Sequence, residues 1–142
     1  MIPVDSIIKK NVVTCLGQSA VIEAVTAMVE NAVGSIVVTD DEKKPIGIFT
    51  ERDLLTRVVF KQLSPEKTPI QDVMTKEVVV AEKGDSCSSV YMKMKEKNVR
   101  HIPVVDETGN LMGVISISDV THRMNDMLVK QSVSPEYLPG VY

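Results

Sequence analysis

The spacing of apolar positions changes along the chain, and it does so twice in the same order. A short β-like run, "NVVT" over residues 11–14, gives way to Val21, Val25, Met28, Val29 and Ala32 at helical spacing, with Ser19 a candidate N-cap. "SIVVT" and "PIGIFT" then flank the polar turn "DDEKK", a pattern that predicts a β-hairpin. A second helical stretch, "LLTRVVF", follows Asp53. From residue 77 the order starts again with "EVVV" and a weaker stripe of Cys87, Val90, Tyr91, Met94 and Asn98 after Asp85. The hairpin "HIPVV", "DETGN", "LMGVIS" follows, and then "VTHRMNDML" after Asp119. Each unit is predicted to be β-α-β-β-α.

The two units are copies. Residues 3–58 laid over 69–124, a shift of 66 without a gap, share identical residues at 13 positions, among them Pro3/Pro69, Val13/Val79, Met28/Met94, Gly47/Gly113, Asp53/Asp119 and Arg57/Arg123. Ordinary residue usage would give about three or four. A unit of this length with a nearly all-apolar sheet cannot bury that sheet alone, so the copies are expected to pack together. The predicted architecture is α/β in the mixed α+β sense, two tandem repeats packed sheet to sheet about a pseudo-twofold axis. The expected division is a first repeat at 1–60, a connector at 61–68, a second repeat at 69–128 and a tail at 129–142. Pro65 and Pro69 break helix around the connector. The tail, which carries Pro135 and Pro139, is expected to lie extended.

Composition narrows the function classes. Apolar residues make up 44% of the 142 and charged residues 25%, a globular balance. The formal net charge of −3 shows no basic excess, and aromatics are 4% with no Trp, so nucleic acid is not an expected partner. No apolar run approaches the roughly 18 residues of a membrane helix. The start "MIPVDSIIKKN" lacks the pattern of an export signal, so a cytoplasmic location is expected. Cys15 and Cys87 stand in unrelated contexts without metal or redox spacing. Buried thiols are the expectation, a disulfide the alternative. His101 and His122, the only histidines, have no Cys, Asp or Glu at ligand spacing, so no metal site is predicted. Met124 and Met127 on the last helix are candidates for a dimer contact.

The candidate chemistry sits where the last strand of each copy turns into its last helix. Thr50-x-x-Asp53 and Ser116-x-x-Asp119 read first as capping boxes, which satisfy orphan N–H groups and complement the helix dipole. The second reading is a ligand site. Gly47 and Gly113, each three residues before the hydroxyl, would admit a flat ligand against the strand. Free N–H groups at a helix start, with hydroxyls, suit a phosphate, and a nearby carboxylate suits ribose hydroxyls. Ser118 adds a donor in the second copy.

Through "GIFTERDLL", "GVISISDV", "VRHIPVVD" and the β-α-β-β-α order, both copies resemble CBS domains, the cystathionine-β-synthase-type repeats that pair into a Bateman module. The resemblance covers about residues 3–124. It implies two clefts between the repeats, where many members bind AMP, ADP or ATP and some bind S-adenosylmethionine. The Asp would hold ribose hydroxyls, and the Ser/Thr ribose or phosphate. Carried over, the main cleft takes Ser116, Ser118 and Asp119, with Arg100 and His101 for phosphate and Ile8, Asn11 and Val13 from the other repeat. The mirror cleft takes Thr50, Arg52 and Asp53, with Met74, Glu77 and Val79. Gly34 and Ser35 replace the Arg100–His101 pair there, and Glu77 replaces Asn11, so the Asp119 cleft is predicted to bind more tightly.

The chain contains no nucleophile elbow, P-loop or dinucleotide fingerprint. The resemblance therefore implies a non-enzymatic sensor of an adenosine ligand, requiring no cofactor and passing its binding state to a partner. A homodimer through the helical faces is expected. The alternative is an interaction module whose clefts are vestigial.

Overall fold

The computed structural model describes residues 2–8 and 12–132. Strand β1 (Thr14–Leu16), helix α1 (Val21–Glu30), strands β2 (Ser35–Thr39) and β3 (Pro45–Thr50), and helix α2, which opens with Glu51–Asp53, form the first copy. Strand β4 (Ala81–Glu82), helix α3 (Cys87–Lys97), strands β5 (His101–Val105) and β6 (Leu111–Ser116), and helix α4 (Ile117–Ser132) form the second. Each copy holds one three-stranded sheet, with its hairpin antiparallel and its first strand parallel to the middle one.

The middle strands explain why the copies associate. All five residues of β2 are buried. Ile36 and Val38 face the first core, while Val37, 0% exposed, points to the other face of the sheet. In β5, Ile102 and Val104 face the second core and the alternating Pro103 and Val105 are buried on the opposite side. A sheet buried on both faces needs a second layer, and the other copy supplies it.

Each copy also finishes its core with the opening of the other. A short 3₁₀ turn at Val4–Ser6 docks on the second copy, where Val4 is fully buried among Ala81, Val90, Ile102 and Ile115. The matching turn at Ile70–Asp72 docks on the first copy, where Ile70, Val73 and Met74 join Val21, Met28 and Phe49. The hydrogen bonds repeat with the same shift of 66. The Val4 N–H donates to Asp85 O at 2.8 Å, and Ile70 N–H to Ser19 O at 2.7 Å. Cys87 N–H donates to Ile2 O at 2.8 Å, and Val21 N–H to Thr68 O at 2.9 Å. The units of sequence are therefore not the units of packing.

Several local expectations shift. The first strands begin later than "NVVT" and "EVVV" suggest, at Thr14 and Ala81, with Val13 contributing only its carbonyl to Val37 N–H. Ala20, not Ser19, is the N-cap of α1; the Ser19 carbonyl is engaged by Ile70. Ser86 caps α3 by accepting from Ser89 N–H at 3.1 Å, while Asp85 accepts from Glu82 N–H. Val29 lies on the outer face of α1, 74% exposed. Beyond Asp53, α2 widens into a π-helix over Leu54–Val59. Helix α4 runs to Ser132, into the stretch assigned to the tail, whose remainder lies outside the described residues. Met124 packs, partly buried, against the second core. Among the described residues no helix is long and apolar enough to cross a membrane.

Both cysteines are free thiols. Burial, aided by the charge of Glu23, pushes Cys15 up to about 11, so it stays protonated near neutrality. Burial raises Cys87 as well, with Arg123 opposing.

Candidate functional site

The two strand-to-helix corners start from the same local chemistry. In the first, Asp53 N–H donates to Thr50 Oγ1 at 3.2 Å and Thr50 N–H returns a bond to the Asp53 carboxylate at 3.1 Å, a complete capping box. In the second, Asp119 N–H donates to Ser116 Oγ at 3.1 Å, and the return bond from Ser116 N–H is longer, 3.5 Å. The first N–H of each helix is used as well: Glu51 donates to Gly34 O at 3.1 Å and Ile117 to Arg100 O at 2.8 Å. The helix starts are thus less open to an anion than the sequence suggests.

What lies over each corner separates them. The Asp53 corner is covered by the second copy's opening. Thr75 exchanges two backbone hydrogen bonds with Ile48, at 2.9 and 3.0 Å, and so pairs with the outer edge of β3. Its hydroxyl donates to Asp53 Oδ2 at 3.5 Å. Arg57 places Nε 3.5 Å from Asp53 Oδ1 and donates through Nη1 to Met74 O at 2.9 Å. Asp53 is left 8% exposed. Gly47 admits the Met74 side chain, not a flat ligand: a Cβ there would overlap the Met74 sulfur and Cγ.

The Asp119 corner opens into a cavity of about 200 Å³. Ser116, Ser118, Asp119, His101 and Val114 of the second copy face Val12, Val13 and the run Ala32–Ser35 of the first across it. Its polar groups are three hydroxyls, one imidazole and one carboxylate, set against valine side chains. Apolar walls with a few converging polar groups suit a small, partly apolar ligand.

Of the residues assigned from sequence to the main cleft, the fold brings together Val13, His101, Ser116, Ser118 and Asp119. Ile8 packs against the second core instead. Arg100 is exposed and off the wall, contributing its carbonyl to the helix start. Asn11 lies outside the described residues. In the other cleft, Thr50, Asp53 and Met74 meet, but as structural partners; Arg52 and Glu77 are exposed, and Val79 packs against the second core. His122 is an exposed partner of Asp126 at 3.6 Å.

Sequence reading placed Gly34 and Ser35 in the other cleft and did not name Ala32, Val33 or Val114. The signal was present in the alignment of Gly34–Ser35 with Arg100–His101, since the pseudo-twofold axis sets the starts of β2 and β5 side by side across one cavity.

Comparison with known proteins agrees with this architecture. The CBS domain model matches residues 4–59 and again 70–126. An uncharacterized protein of Methanopyrus kandleri is 29% identical over 119 residues, 84% of this chain and 61% of that protein. The homoserine O-acetyltransferase of Methanococcus vannielii is 32% identical over 119 residues, again 84% of this chain but only 24% of the enzyme. The chain thus spans less than two thirds of these curated relatives. Among solved structures, a CBS domain protein from Pyrobaculum aerophilum complexed with AMP superposes with a TM-score of 0.82 at 27% identity, covering 93% of this chain and 100% of that one. Two matches to one family model, each on one copy of the β-α-β-β-α unit, carry the conclusion: the chain belongs to the CBS domain family.

Proposed function

We propose that this chain is a non-enzymatic regulatory module that binds an adenosine-containing ligand, AMP, ADP or ATP, in the Asp119 cleft. The observation that carries the reading is the cavity itself, in which a carboxylate, three hydroxyls and an imidazole converge between apolar walls drawn from both copies. Asp119 would take the ribose hydroxyls, Ser116 and Ser118 the ribose or phosphate, and Val12, Val13 and Val114 would flank the base. The AMP complex of the Pyrobaculum protein supports the ligand class. The Asp53 cleft is the weaker site, since Thr75, Met74 and Arg57 already occupy it.

Because both copies wall the cavity, a ligand there ties the copies together and shifts the balance between their relative arrangements. The readout would be a second molecule of this chain or another protein meeting the outer helices, where Val29, Leu55, Val59 and Phe60 are more than half exposed. A homodimer through this face is part of the proposal; sedimentation of the chain and of Phe60→Glu tests it.

Thermal unfolding with AMP tests ligand binding. At 100 times the dissociation constant, bound ligand adds about 2.7 kcal/mol, a rise of roughly 5–10 °C for a chain of this size. No rise with any adenosine ligand would leave the alternative, a protein-interaction module in which "SISD" only caps a helix.

A further inference from the structure

We propose that the cavity where the hairpin turns of the two copies meet is a further ligand site, one that takes a small organic anion, a charged head group on a short apolar tail. It adjoins the Asp119 cleft at Val12, which lines both, and stands independently of the adenosine reading.

The cavity holds about 270 Å³ and is lined by Thr14, Thr39 and Lys43 of the first copy together with Leu111 and Met112 of the second. The key residue is Thr39. It is 7% exposed, and among the described residues its hydroxyl has no hydrogen-bond partner. A buried hydroxyl without a partner is costly. The second copy avoids that cost with Val105 at the matching position, also 7% exposed. Both middle strands shift register here, β2 between Val38 and Thr39 and β5 between Val104 and Val105, so the backbones correspond and the hydroxyl is the difference. Two other lining residues differ in the same sense: Thr14 and Lys43 stand where the second copy has Val80 and Gly109. Hydrogen-bond donors are thus gathered at positions that the other copy leaves apolar or bare.

The turn fixes where Lys43 starts. Its N–H donates to Asp40 O at 3.1 Å, and its carbonyl accepts from Leu111 N–H of the second copy at 3.4 Å. Its φ of 66° is a left-handed conformation that favours glycine, the residue the second copy has at Gly109 with φ 87°. A lysine is therefore kept here against backbone preference. The Asp40 carboxylate in the same turn is engaged by the N–H groups of Glu42 and Lys44, at 2.9 and 3.0 Å. Among the described residues the Lys43 ammonium has no ion-pair partner. An ammonium and two hydroxyls can all donate to one anionic head group, and bonds to a charged acceptor are the stronger kind. Val12, Leu111 and Met112 supply apolar surface for the tail. Apolar lining with a few converging polar groups is the composition of a small-molecule site.

Methyl-detected NMR of the full chain tests the proposal, with butanoate, butyl phosphate and uncharged butanol as probes. The Thr14, Thr39, Leu111 and Met112 methyl signals are expected to shift with at least one of the two anions. The better anion should bind at least tenfold more tightly than butanol. A preference for butanoate would assign the head group as a carboxylate, and a preference for butyl phosphate as a phosphate monoester; either supports the site. Two variants copy the other repeat, where the same residues already fold. Thr39→Val should weaken the better anion at least threefold and Lys43→Gly at least fivefold, with the amide spectrum otherwise unchanged. Butanol binding as tightly as both anions, or no methyl shift with any probe, would overturn the proposal. So would an unchanged affinity in either variant, because that hydroxyl or ammonium would then play no part in holding the anion.

Discussion

The Asp53 and Asp119 corners share a glycine, a hydroxyl, an aspartate and an arginine at the same spacing, yet among the described residues Asp53 is buried under Thr75 and Arg57 while Asp119 lines a cavity. Local sequence does not make the difference. Both corners form the same Ser/Thr–Asp cap, and in both the first helical N–H is taken by a carbonyl preceding the copy's middle strand. Residues 73–75 lie across the first corner; of their counterparts at the second, Ile7 and Ile8 pack against the second core and residue 9 lies outside the described residues. Met74 rests on Gly47, Thr75 pairs with Ile48, and Arg57 holds the Met74 carbonyl. A motif that reads as a ligand site can thus be consumed by its own fold, and only what covers it decides.

The segment covering Asp53 is anchored by Ile70, which belongs to the second copy in sequence and to the first in packing. Ile70→Ala should have the largest effect, a loss of about 2–5 kcal/mol in denaturant unfolding. A loss below 1 kcal/mol would mean that the exchanged opening contributes little to the first core.

Gly47→Ala strikes the same cover from beneath. Its Cβ would displace Met74, costing about 1–3 kcal/mol. The displacement should also uncover the Asp53 corner, read in titrations as weak binding of a second AMP.

The two aspartates should then part company. Asp119→Ala is expected to weaken AMP binding at least tenfold, about 1.4 kcal/mol, with a smaller change in melting temperature. Asp53→Ala should leave AMP affinity within twofold but lower stability by about 1–2 kcal/mol, because it removes a helix cap and the partner of Arg57. Equal loss of AMP affinity in the two variants would erase the distinction between the clefts.

The smallest effect concerns the cores behind the corners. Burial raises the folded-state Cys15 thiol from 9.0 to about 11. Between those values the folded chain binds the proton that the unfolded chain has released, so stability is complete below pH 9 and falls as pH rises toward 11. About 1–2 kcal/mol should be lost over that window, allowing for the partial exposure of the side chain. Cys15→Ala should flatten that slope in pH-dependent melts.

Much of this was legible in the chain. The shift of 66, the period change from strand to helix, and the turns "DDEKK" and "DETGN" located both hairpins. Both turns close as expected, with Asp40 and Asp106 accepting backbone N–H groups. The cap of the first helix was misplaced by one residue at Ser19, because its carbonyl bonds to the exchanged opening at Ile70, a contact invisible to a local pattern. Five of eight residues assigned to the main cleft line one cavity. Ile8 and Arg100 do not, since apolar burial drew the one into the core and the strand's direction left the other outside.

By itself, the sequence determined the duplication, the β-α-β-β-α order, the family resemblance and the two capped corners, all of which rest on periodicity and on side-chain–backbone bonds within a few residues. That residues 73–75 cover Asp53 while Asp119 lines a cavity was decided only by the tertiary structure. So were the exchange of Val4 and Ile70 between cores and the meeting of Gly34 and Ser35 with His101 across one cavity. Those outcomes depend on contacts between residues far apart in the chain, where burial of apolar surface outweighs local preference.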